Sequence, residues 1–153
     1  MSTCDARRPG RLALRGKATF TSRPDSKYGI DIWCGIWEIE GGQAEINVGD
    51  IEFWGNKFKD AVNAKAETPV GAGLAVLKLT GENVSTIHAR KVDFVDAAVL
   101  DVKGLRVGAG TYKVIDAAAI GETNLRFEQG TDTGKWSLRF DSPAGDLLLT
   151  FSP

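Results

Sequence analysis

The stretch Ile30–Glu40, IDIWCGIWEIE, constrains the fold most, because a strand sends alternate side chains to opposite faces. Read as one strand, it places Asp31, Trp33, Gly35, Trp37 and Ile39 on one face. Ile30, Ile32, Cys34, Ile36 and Glu38 fall on the other. Both sets are mainly apolar, so this strand is expected to be covered on both sides. Gly35 between two indoles leaves a notch of side-chain size, where a ligand or another backbone can lie close.

The rest of the chain repeats short apolar alternations between clusters of turn residues. Candidate strands run from Lys17, through Gln43–Val48 and Ile51–Trp54, and then from Leu74 to Phe151. Gly41-Gly42, Gly130–Gly134 and Ser142–Gly145 read as hairpin turns, and Gly81-Glu82-Asn83 as a turn. One segment has helical spacing: Asn56–Glu67 aligns Phe58, Ala61 and Val62 on a stripe, with Asn56 as cap and Pro69 just beyond. Regular spacing of short strands predicts an all-β fold of eight to ten antiparallel strands with one short helix. A β-barrel is expected, with a β-sandwich as the alternative. A single domain is expected over residues 17–153, preceded by a flexible arm over residues 1–16. The tetrapeptide Val70–Gly73 recurs as Val107–Gly110, an echo that falls short of a solenoid repeat.

Nineteen Lys and Arg against twenty Asp and Glu leave a net charge of -1, which argues against nucleic acid or an anionic membrane as partner. Two cysteines, Cys4 and Cys34, are too few for a disulfide framework. No apolar run approaches a membrane span, and the Arg-rich start has no hydrophobic signal core, so a cytoplasmic location is expected. Asn83-Val84-Ser85 is formally a glycosylation sequon, which is read as coincidence in that setting.

Chemistry has few carriers. No phosphate loop is present, no residues have zinc-ligand spacing, and no cofactor or metal is expected. His88 is the only histidine and a possible proton carrier. Asp31 shares its expected strand face with Trp33 and Trp37, an aromatic slot with one carboxylate that suits a cation or a general base. Trp33, Gly35, Trp37 and Trp54 are the expected ligand-binding set, with Asp31 and His88 the catalytic candidates. The leading expectation is a small-molecule-binding barrel with an aromatic-lined apolar cavity, suited to a cofactor-free isomerisation or cyclisation. The competing expectation is a non-enzymatic interaction or assembly subunit. In either case the apolar strand faces point to a homo-oligomer, most simply a two-fold dimer.

Overall fold

A computed structural model describes residues 10–22, 29–32, 35–55 and 74–153. The chain is all-β, as expected, but it forms one mixed sheet that does not close into a barrel. Its strands are β1 (Gly10–Leu14), β2 (Thr19–Thr21), β3 (Ile30–Ile32), β4 (Gly35–Glu40) and β5 (Glu45–Phe53). They continue as β6 (Ala75–Gly81), β7 (Ile87–Leu105), β8 (Gly110–Phe127), β9 (Trp136–Asp141) and β10 (Asp146–Phe151). The arm expected over residues 1–16 therefore already contains β1. The expected helix at Asn56–Glu67 lies outside the described residues, among which no helix occurs.

Pairing is the main departure from expectation. The ladders β1–β4, β4–β6, β6–β7, β2–β5, β3–β5, β5–β7 and β7–β8 are all parallel. Only β8–β10 and β10–β9 are antiparallel. Gly41-Gly42 is thus no hairpin: β4 pairs with β1 and β6, while β5 pairs with β2, β3 and β7. Nor is Gly130–Gly134, since β10 lies between β8 and β9. Parallel partners need a long connection, and here the connection is a full turn of the chain. Each turn supplies three paired segments, so the strands stack into a three-sided coil. The first side stacks Leu12, Trp37, Leu77, Leu100 and Phe127 at one register position. The second stacks Phe20, Ile46, Ile87 and Ile115, and the third stacks Ile32, Phe53 and Phe94.

Burial shows where the chain bends. In β5, Ile46 and Val48 are buried, and then the phase slips to Ile51 and Phe53. In β7 the slip comes between Ile87 and Val92, and in β8 between Ala117 and Ile120. These slips stand at equivalent places in successive turns, because a strand rounding a corner must change which parity points inward. The tryptophan segment is split where the third side gives way to the first: β3 and β4 are separate strands, and Gly35 at the start of β4 takes φ +128°. The equivalent corner on the next turn but one holds Ala97 at φ +45°, a region that costs a non-glycine residue on the order of 1 kcal/mol.

Large apolar side chains pack the interior formed by the described residues. Trp37, Phe53 and Phe94 are fully buried, with Ile30, Ile32, Ile51, Leu77, Ile87 and Leu100 around them. Strand alternation predicts Phe20, Ile32, Ile36, Ile46, Phe53, Leu77, Phe94, Leu100, Tyr112, Leu125, Phe127, Trp136, Leu138, Phe140 and Leu148 as inward. Of these, Ile32, Ile46, Phe53, Leu77, Phe94 and Leu100 are buried, and the others are half-buried. The alternation fails by one position at Ile36 and Leu148, where Trp37 and Leu147 are the buried neighbours. The β9–β10 hairpin closes the far end of the coil. Leu147 and Leu149 are buried along β8, and the Phe140 ring reaches within 5.9 Å of Phe94. On the last turn the Phe94 position is held by Thr123, so Phe140 supplies the apolar cover that this turn lacks. Terminal covers of this sort are what stacked-turn folds require.

Candidate functional site

The break between β3 and β4 reverses the logic of an aromatic slot. Asp31 lies outward on β3, half-buried, whereas Trp37 on β4 is fully buried between the rings of Phe20 and Phe53. The ring centroids are 6.3 and 6.5 Å from Trp37, so its indole is part of the core. Asp31 and Trp37 therefore do not share a face. Trp33 lies outside the described residues. Gly35 is buried, and its positive φ accounts for the glycine through the backbone.

What gathers around Asp31 is a ladder of carboxylates. Asp31 pairs in register with Glu52, and Glu52 with Asp93, on the outer side of three successive turns. Desolvation by burial raises the Asp31 and Glu52 carboxyls above their ordinary range. At Glu52 the hydrogen bond from Trp54 Nε1, 2.7 Å to Oε2, works in the opposite direction, and the negative charges of Asp31, Asp93 and Asp50 add to the rise. Trp54 is thus a half-buried hydrogen-bond donor that holds Glu52. Asp93 is fully engaged: Glu122 N donates to Oδ1 at 2.9 Å, and Lys91 Nζ stands 3.1 Å from Oδ2. That ion pair raises the Lys91 ammonium. Arg90 binds Asp50 at 2.5 Å. Among the described residues no group of three His, Cys, Asp or Glu is arranged to hold a metal ion.

His88 stands on a different side of the coil. It is exposed on β7, with Nδ1 3.3 Å from Asp116 Oδ2 of β8, and its register partners are Asn47 and Asp116. It borders an open groove of about 380 Å³ together with Asn47, Ser85 and Thr86. A neighbouring groove of about 450 Å³ follows the corner formed by Glu40, Gly41, Gly42, Gly81 and Glu82. Both are surface notches with polar walls.

Sequence reasoning missed Glu38, the most unusual acid in the fold. It is 5% exposed, yet it lies on the outer side of β4, where Arg11 and Arg15 converge on its carboxylate. Part of the signal was local, since Glu38 interrupts an apolar run; Arg11 lies in the strand that pairs with it and Arg15 just beyond that strand's end. The Asp31–Glu52–Asp93 ladder was not legible, because it depends on parallel register.

No helix of the described residues is long and apolar enough to cross a membrane. No protein-family model matches the chain, and no curated protein or solved structure matches it either.

Proposed function

We propose that this chain is an interaction and assembly module, a rigid coil whose edges and outer faces carry its binding. One observation supports this reading above the others: Trp37, Phe53 and Phe94, the aromatics best suited to a cavity wall, are fully buried against one another. Interiors packed in this way leave no room for a ligand without displacing side chains. The two catalytic candidates give no support to an active site, since Asp31 and His88 belong to different sides of the coil. A cytoplasmic setting and a homo-oligomer are part of the same proposal.

The test sets two measurements side by side. Tryptophan fluorescence is titrated with a panel of apolar small molecules, and light scattering follows particle mass across protein concentration. Self-association with no saturable ligand response is the expected result. A saturable response from a protein that stays monomeric would instead favour a small-molecule-binding protein and overturn the proposal.

A further inference from the structure

The sheet ends at β9, which pairs with β10 on one edge and with no other strand among the described residues. Ser152 N donates to Lys135 O at 2.9 Å, which makes Lys135 and Ser152 a hydrogen-bonded pair of the antiparallel ladder. Such pairs alternate, so Ser137, Arg139 and Asp141 turn their backbone groups toward β10. Trp136, Leu138 and Phe140 turn theirs to the outer edge. Of these, the Trp136 N–H is already spent on Asp132 O at 3.0 Å. The side chains of the same three residues are only half-buried against the core. Unpaired strand edges are templates for another strand, and this one carries neither proline nor bulge.

We propose that β9 pairs antiparallel with β9 of a second copy of this chain, with Leu138 facing Leu138 across a two-fold axis. This rests on the assembly reading and names its partner. In this register the Leu138 N–H donates to the Leu138 carbonyl of the second copy, and the Phe140 N–H donates to the Trp136 carbonyl, each twice by symmetry. Trp136 lies beside Phe140 of the second copy on the apolar face. On the exposed face Lys135 meets Asp141, and Ser137 meets Arg139. The neighbouring registers that keep the same backbone parity are selected against. One sets Lys135 opposite Arg139, and the other sets Arg139 opposite itself. Like charges directly opposite one another are destabilising in a sheet. Charge thus picks one register of the three.

The experiment uses the whole chain and measures the dimer dissociation constant by sedimentation or light scattering on dilution. Lys135→Asp and Asp141→Lys should each weaken the dimer about fivefold or more. Combining them restores the opposite-charge contact and should return the constant to within about twofold of the parent. Leu138→Pro removes the central donor and should abolish the dimer. Because it can also disturb the cap, the exposed charge exchange is the deciding test. Single variants that leave the constant unchanged, or a double variant that is no better than its parents, overturn the β9 pairing. If the parent chain self-associates regardless of these variants, the edge is wrong while the assembly reading stands. If the parent is monomeric at every concentration, the β9 dimer is overturned, and the ligand titration judges the broader reading separately.

Discussion

Phe53 and Phe94 hold the same position on successive turns of the coil, with ring centroids 4.8 Å apart and planes 21° from parallel. The contact is a direct product of parallel register, which sets identical positions one strand apart. Trp37 extends the stack on one flank and Phe140 on the other. Phe94 therefore links the coil interior to its cap. Truncating it to alanine should cost about 3–5 kcal/mol, seen as a lower urea midpoint. Phe94→Leu, which keeps most of the volume, should cost less than about 2 kcal/mol. An alanine variant as stable as the parent would show that the cap does not lean on this ring.

The carboxylate ladder predicts an unusual pH dependence. Asp31 and Glu52 have folded-state pKa values raised above their unfolded ones, mainly by desolvation. Between the two values the folded chain binds more protons than the unfolded chain, so these groups make stability rise as pH falls through the raised values. The gain is complete once pH drops below the ordinary carboxylate range. Glu52→Gln keeps an acceptor for Trp54 Nε1 and removes the charge. It should raise the melting temperature at pH 7 and flatten its slope between pH 7 and pH 4. A steeper slope in this variant would refute the assignment.

Glu38 provides a test of asymmetry. It is buried on the outer side of β4, while the arginines that reach it are about half exposed. Replacing both Arg11 and Arg15 with alanine leaves a buried, unpaired carboxylate and should cost about 2 kcal/mol or more. Glu38→Gln frees two solvated arginines and should cost less. Chemical denaturation of both variants decides the order. The reverse order would mean that the arginines act through packing.

Two glycines should resist substitution for backbone reasons. Gly35 has φ +128°, so Gly35→Val should lower the melting temperature whether or not any ligand binds. Gly145 has φ +71° in the β9–β10 turn, where a Cβ would run into the Ala117 carbonyl oxygen. Its own carbonyl accepts from Ala117 N at 2.9 Å. Gly145→Ala should loosen the cap from β8, with faster amide exchange in β10 than in β5 as the readout.

Strand content was legible in the residues, since period-two alternation depends only on which side chains avoid water. That is why Ile32, Ile46, Phe53, Leu77, Phe94 and Leu100 were assigned inward correctly. The Ser142–Gly145 hairpin was legible too, because its two strands are adjacent in sequence and its turn chemistry is local. Parity broke down at Ile36 and Leu148. Near Ile36, the alternation does not carry over from β3 to β4, and no polar residue marks the break in the sequence. At Leu148, the run Leu147–Leu149 is apolar at every position, so no alternation marks which parity points inward.

Pairing direction was decided by tertiary structure alone. Glycine pairs such as Gly41-Gly42 permit a hairpin and a coil corner equally well, because both need only a sharp change of direction. The coil repeat was hidden as well. Its inward positions require only apolar bulk, so Leu12, Trp37, Leu77, Leu100 and Phe127 stack together without resembling one another in sequence. Two residues separate β3 from β4 in sequence, whereas twenty-one separate β5 from β6, so no constant period survives along the chain. Composition and alternation determined that this chain would be built of strands around an apolar core. Which strands became neighbours was settled by the long-range burial of Trp37, Phe53 and Phe94, a property of the folded coil that no local segment encodes.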